Sequence, residues 1–245
     1  MMQANSSYEK NYFTSRRNLS LTSAEKTLHH LKKFYDFSSV VDFGCGTGTW
    51  LKGCQNIGCK DILGLDDYAE ETLLEIPQEN FLRKNIGQPV KLQKKYDLAI
   101  SLEAAEHIAM DFSENIVKNL VQASDVILFS AALPGQGGTN HVNEQPPNFW
   151  AKKFNRHNFL QYDFLRSLIW EENEVAWWYK QNIFLYIKED SQKNIAIPAL
   201  GNDLSFKHIV HPDCLNSRIQ ELDIDNASIK NLLKALVKNT LRKLP

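Results

Sequence analysis

The chain is poor in cysteine, with four among 245 residues, at positions 45, 54, 59 and 214. Three of them cluster, but at spacings of nine and five, with no Cys-x-x-Cys pair and no histidine nearby, which argues against a zinc site. Reduced thiols in a cytoplasmic protein are the expectation. Long apolar runs are missing too. The longest, Val126 to Leu133 with one serine, falls far short of the roughly 20 residues that span a bilayer. The segment Met1 to Ser7 has neither a basic nor an apolar stretch and predicts no signal peptide. Charge of one sign is also absent. The 28 Lys+Arg against 29 Asp+Glu leave a net charge of −1, unlike the basic balance of proteins that coat nucleic acid. With 11 Gly, 8 Pro and 23% charged residues, collagen-like, low-complexity and wholly disordered classes are excluded. What remains is 43% hydrophobic residues, enough for one domain with additions and a core that needs no staples.

Short apolar runs alternate with helical stretches. Ser39–Phe43, Asp61–Leu65, Asp97–Leu102 and Val126–Ser130 read as strands, with helices expected around 49–57, 68–75 and 112–123. Strands apolar on both faces and separated by helices imply a parallel sheet covered on two sides. A first helix is expected to begin at Thr22, where Thr22 and Glu25 form a capping-box pattern. Beyond a Gly/Pro/Asn-rich loop at 134–140, helices are expected near 147–157 and 163–170, and a late strand at 182–187. Residues 1–20 read as an N-terminal arm, 21–188 as the main domain, and 189–245 as a linker and a C-terminal helix. That helix carries a basic stripe, Lys230, Lys234, Lys238 and Arg242. Its lysines fit a solvated face or, as a second reading, peripheral contact with an anionic membrane.

The most informative segment is Asp42-Phe43-Gly44-Cys45-Gly46-Thr47-Gly48, between a strand and a helix. Three glycines in five residues let the backbone turn sharply and approach a ligand where a Cβ would clash. The dinucleotide fingerprint fails because its third glycine would stand at Thr49, and no Gly-Lys-Ser/Thr follows for a phosphate loop. A carboxylate two residues before the first glycine repels a pyrophosphate but suits an ammonium or sulfonium ligand. Asp66, eighteen residues after Gly48, ends the second strand next to Asp67, where a carboxylate accepts hydrogen bonds from both hydroxyls of a ribose. Together these features point to S-adenosylmethionine.

The stretch Val40-Val41-Asp42-Phe43-Gly44-Cys45-Gly46-Thr47-Gly48 resembles the first motif of class I S-adenosylmethionine-dependent methyltransferases, and Asp66 falls where their ribose-binding acid stands. Phe81 to Ile86 looks like their third strand and adenine-contacting turn, with Asn85 in place of the usual Asp, and Tyr96 to Glu103 looks like the fourth motif. The resemblance covers roughly residues 20–188. It implies a Rossmann-like α/β fold: a seven-stranded, mostly parallel sheet with helices on both faces and an antiparallel last strand. It also implies that Asp42, Gly44, Cys45, Gly46 and Gly48 hold the methionine part, Asp66 and Asp67 the ribose, and Asn85 with Ile86 the adenine. The segment Phe129 to Gly138 with His141 to Gln145 is similar to a bacterial subgroup often linked to glycan or surface-polymer modification. A small-molecule or glycan acceptor follows from that resemblance, and the neutral charge speaks against nucleic acid.

A hydroxyl acceptor needs a general base, for which histidine is matched to neutral pH. His141, in the loop after the fifth strand, is the expected base, with Glu103 and His107 lining the transfer site. Glu103-Ala104-Ala105-Glu106-His107 followed by His141 also resembles the divalent-metal site of small-RNA terminal 2′-O-methyltransferases. A helical turn would gather these side chains on one face, where they would hold Mg²⁺ or a softer cation. The alternatives are a metal-assisted RNA 2′-O-methyltransferase or a non-catalytic cofactor-binding scaffold. The aromatics Phe149, Trp150, Trp170, Trp177, Trp178 and Tyr179 suit either core packing or stacking on a ligand.

Overall fold

The computed structural model describes residues 3–191, 195–196 and 210–222, with side chains of the first helix from Asn18 onward. Seven strands form one sheet: β1 (Ser39–Phe43), β2 (Asp61–Asp66), β3 (Phe81–Arg83), β4 (Leu98–Leu102), β5 (Val126–Ser130), β6 (Phe159–Tyr162) and β7 (Phe184–Lys188). Their order is β3-β2-β1-β4-β5-β7-β6. The first five run parallel, and β7 lies antiparallel between β5 and β6. This is the Rossmann-like arrangement expected, with the last strand of the chain antiparallel.

Successive strand residues face opposite sides. Val40, Leu98, Ile100, Val126 and Leu128 join one core with α1 (Gln3–Lys32), α2 (Thr49–Asn56), α5 (Leu165–Ile169) and α6 (Trp177–Asn182). Val41, Ala99, Ile127 and Phe129 join the other with α3 (Ser113–Ala123) and α4 (Pro147–Asn155). Both faces are therefore covered, which is why these strands read as nearly unbroken apolar runs. Of the six aromatics named above, two are core, with Trp150 packed on Phe129 and Tyr179 edge-on to Trp50, while Phe149, Trp170, Trp177 and Trp178 are half-buried.

Three local expectations need correction. The first helix does not start at Thr22. No proline or glycine interrupts Gln3–Lys32, and the helix runs through. Glu25 is used instead to accept a hydrogen bond from Asn56 at the end of α2 (2.6 Å). The 68–75 region holds only a 3-10 turn, Glu71–Leu73. Arg83 takes the carbonyls of Asp67 (2.6 Å) and Ala69 (2.9 Å) that a helix would need for its own ladder. Third, β6 occupies 159–162 and α6 177–182, where no element was expected except at Asn182, which ends α6 instead of starting the late strand.

At the opposite edge from the cavity described below, Asp97 Oδ2 accepts from the backbone amides of Ser38 and Ser39 (both 3.1 Å) and from the Ser39 hydroxyl (2.9 Å). This carboxylate ties the entry of β1 to that of β4. Asp97→Ala strands those donors and is expected to lower stability by about 1–3 kcal/mol. The check is urea unfolding, with an unchanged midpoint as the contrary result.

The chain divides into two units, Met1–Ile209 and Val210–Pro245. The second contains α7 (Pro212–Leu222). The basic segment expected at 229–244 lies outside the described residues. No helix among the described residues is long and apolar enough to cross a membrane.

Candidate active site

Strand order reverses between β1 and β4, since β2 and β3 lie to one side of β1 and β5 to the other side of β4. In open α/β sheets ligands bind at that switch point, beyond the carboxyl ends of the strands. A cavity of about 680 Å³ opens there. Its wall takes Gly44 and Gly46 from the β1–α2 loop, Asp66, Asp67 and Tyr68 from the β2 tip, and Asn85, Ile86 and Gln88 after β3. Glu103, Ala104, His107 and Ile108 follow β4, and Asn140 comes from the loop after β5.

The glycine loop is built by positive φ at Gly44 (85°), Gly46 (54°) and Gly48 (85°). A Cβ on Gly44 would stand 2.5 Å from that of Ala104, whereas one on Gly46 would meet nothing within 4 Å. Gly44 therefore closes the loop onto β4, and Gly46 leaves space on the ligand side. The amides of Gly44 and Cys45 both bond the Leu65 carbonyl (2.7 and 3.1 Å). Asp66 Oδ2 accepts from the Gly46 amide (2.9 Å), and Oδ1 accepts from Tyr68 (2.7 Å) and Ala69 (2.8 Å). One carboxylate thus clamps the glycine loop to the β2 tip while it lines the cavity.

Asp42, Cys45 and Gly48 do not line it. Asp42 is 3% exposed, its backbone lies in the β1 ladder, and its carboxylate makes no hydrogen bond or ion pair among the described residues. Burial, followed by the charge of Asp66, pushes its carboxyl well above the usual range. Cys45 is buried beside Gly64, where any Cβ would meet its sulfur, and Gly48 lies against Ile76. The turn that carries Asn85 and Ile86 is held by a residue with no motif. Asn119 of α3 donates to the carbonyls of Ile86 (2.9 Å) and Gln88 (2.8 Å) and accepts from the Val90 amide (2.9 Å).

At the β4 end, the loop after β5 folds back so that the amides of Val142 and Asn143 bond the Glu106 carbonyl (2.9 and 3.0 Å). This brings the His141 ring 4.9 Å from that of His107, edge to face. His141 Nδ1 lies 3.0 Å from Glu144 Oε1. Glu144 also accepts from the amides of Gly135 (2.8 Å) and Gly137 (2.7 Å). Burial alone would raise the Glu144 pKa, but the bonds from His141 and the two amides outweigh it and hold the carboxylate below its usual range. His107 is lowered, first by burial and then by His141.

Glu103, Glu106 and His107 do not share a helical face. Glu103 sits at φ 51°, before the 3-10 turn Ala105–His107. Its carboxylate turns toward Asn182 and Gln136. Ligand atoms of Glu106, His107 and His141 lie within 4.8 Å of one another. Glu106 is buried, and neither carboxylate oxygen makes a hydrogen bond of ordinary geometry. Burial, then the charge of Glu103, push its pKa well up, tempered by the nearby amides of Glu106 and Ala132.

A family model described as "Methyltransferase domain" matches residues 15–172. No curated protein matches the chain. Among solved structures, DesVI of Streptomyces venezuelae is similar at 12% identity and a TM-score of 0.55, over 75% of this chain and 98% of that one. The plantazolicin methyltransferase BpumL, solved in complex with SAH, is similar at 15% identity and a TM-score of 0.52, over 76% and 91%. The methyltransferase domain of a bacterial Hen1, CtHen1-C, follows at 16% and 0.50, over 69% and 98%. At these identities the likeness is one of fold.

Proposed function

Because this chain belongs to the methyltransferase-domain family, we propose that it moves a methyl group from S-adenosylmethionine to a hydroxyl oxygen of a small molecule or sugar. The observation that carries this reading is the cavity at the switch point. It joins an open Gly46, the Asp66–Asp67 tip and Glu103, and among the described residues its wall contains no lysine or arginine. Such a lining complements a cationic nucleoside and repels a pyrophosphate. The plantazolicin methyltransferase, bound to SAH, supports the same cofactor. The proposed catalytic domain is 21–188.

The residues fall into roles by position. Asp66 and Asp67 accept the ribose hydroxyls, Asn85 and Ile86 meet the adenine, and Gly44 and Gly46 let the backbone come close to the chain linking them to β4. When bound, the cofactor supplies an electrophilic methyl group on a good leaving group. The protein's remaining task is to align the acceptor and take its proton. With its Nδ1 proton held by Glu144, His141 has Nε2 free to accept one. The hydrogen-bonding groups in the 134–145 loop, and its resemblance to glycan-modifying enzymes, favour a sugar or small hydroxylated acceptor. The test is transfer of labelled methyl to a panel of sugars, small alcohols and phenols, amines and short RNA. Label is expected in hydroxyl acceptors, and label in RNA alone would overturn the acceptor class.

A second reading adds a divalent cation at Glu106, His107 and His141. Two buried carboxylate oxygens without a hydrogen bond of ordinary geometry, beside two imidazoles, form a donor set that such an ion would satisfy. Bound there, it would lower the pKa of an acceptor hydroxyl. Elemental analysis is expected to find one divalent ion per chain, and Glu106→Gln to lose it with S-adenosylhomocysteine binding unchanged. Turnover that survives EDTA in metal-free protein would remove this reading.

A further inference from the structure

Three buried carboxamides form a network beside Glu103 that the proposed mechanism does not use; Asn182 and Gln136 touch the carboxylate, and Gln181 braces those two. Gln181 and Asn182 end α6, and Gln136 stands between Gly135 and Gly137 in the loop after β5; the three are 1%, 2% and 8% exposed. Asn182 Nδ2 donates to both oxygens of Glu103 (3.0 and 3.2 Å), and Gln136 Nε2 donates to one (3.2 Å). Gln136 Oε1 accepts from Asn182 (2.9 Å), Gln181 (3.0 Å) and the Leu133 amide (3.2 Å). Gln181 also donates to Asn182 Oδ1 (3.1 Å). With both carbonyl oxygens occupied, the NH₂ groups of Gln136 and Asn182 have one way to face: toward Glu103.

Burying three carboxamides is costly unless they are paired, and leucines would fill the same space without that cost. Glu103 adds its own strain, since a non-glycine residue at φ 51° is disfavoured. These costs converge on one carboxylate that lines the cavity. Under the S-adenosylmethionine reading, strand order assigns it a part of the ligand. Asn85 follows β3 and Asp66 ends β2, so with adenine and ribose on that side the amino-acid end would extend over β1 to β4.

We propose that Gln136, Gln181 and Asn182 are positioning residues that hold the Glu103 carboxylate at the β4 end of the cavity, as the receptor for the ammonium group of the cofactor's amino-acid end. This rests on the S-adenosylmethionine reading above. All the carboxamide contacts are N–H donors, which favour the carboxylate over the acid. They oppose burial, which raises its pKa. Because Gln136 also belongs to the loop that Glu144 clamps to His141, the same carboxamides tie the cofactor end of the site to the proposed base.

The test uses calorimetry with two probes, S-adenosylhomocysteine and 5′-methylthioadenosine, which lacks the amino-acid part. Asn182→Asp sets carboxylate against carboxylate. It is expected to weaken S-adenosylhomocysteine by about 10-fold or more and leave methylthioadenosine unchanged, as loss of a charge-assisted contact predicts. Adding Glu103→Gln gives the 103–182 pair a donor again with the roles exchanged, although Gln136 Oε1 still lacks the donor it had in Asn182. The double variant is expected to recover part of the Tm but not S-adenosylhomocysteine affinity, and it carries the test should Asn182→Asp alone fail to fold. Recovery of both in the double variant, or wild-type affinity in folded Asn182→Asp, would overturn the proposal. A wild-type protein that binds neither probe overturns the cofactor reading and this assignment with it.

Discussion

His141→Ala is expected to slow methyl transfer by roughly 10²–10⁴-fold while S-adenosylhomocysteine affinity stays unchanged, the effect of removing a positioned general base. The split follows from the position of the ring. His141 does not line the cavity proposed for the nucleoside, and it is fixed by the 134–144 loop rather than by the glycine loop. Its Nδ1 faces Glu144, whose carboxylate is anchored by two backbone amides, so the ring has one orientation and one free nitrogen. Gly138 offers a parallel test without removing the imidazole. A Cβ there would collide with the His141 ring at Nε2, and Gly138 already sits at φ 153°. Gly138→Ala should therefore reproduce much of the loss by turning the ring away. Steady-state kinetics on the acceptor found by methyl labelling, together with calorimetry, checks both variants. Turnover retained in His141→Ala would show that the acceptor loses its proton elsewhere.

Asp66→Ala is expected to weaken S-adenosylhomocysteine by about 1.5–3 kcal/mol, roughly 10- to 150-fold, as for hydrogen bonds to a charged group. Two losses combine. The acceptor proposed for the ribose hydroxyls goes, and the Gly46 amide loses the carboxylate that holds the loop against β2. Asp66→Asn keeps an oxygen for the Tyr68 and Ala69 amides but has fewer acceptor sites for Gly46 and ribose together. It should fall between wild type and the alanine variant. Equal affinity in all three would mean that the nucleoside does not lie at the β2 tip.

The parts of the fold legible from sequence were those that a one-dimensional pattern encodes. β1, β2, β4 and β5 stand out because strands buried on both faces read as apolar runs, and the glycine loop stands out because three positive φ angles need glycine. β6 did not stand out. Its four residues have no length to show a period, and its place is set by antiparallel pairing with β7. The 68–75 segment looked helical because nothing local forbids a helix; a distant arginine, Arg83, claims the carbonyls instead. In the site, Glu-x-x-Glu-His was visible as a spacing. The backbone conformation at Glu103 then sends its carboxylate toward α6 and leaves Glu106 with the two histidines. Gln136 was visible only inside the Phe129–Gly138 segment and Asn182 only as the start of the expected late strand, and Asn119 carried no signal at all. A carboxamide in a loop or at a helix end looks like any solvated residue until the fold shows what its donors face.

The most direct measurement is calorimetric titration of the purified full chain with S-adenosylhomocysteine, with NAD⁺ as the control. Binding near micromolar, roughly −8 kcal/mol, is expected, with no response to NAD⁺. A folded protein that ignores S-adenosylhomocysteine, or that binds NAD⁺ in its place, would contradict the S-adenosylmethionine reading.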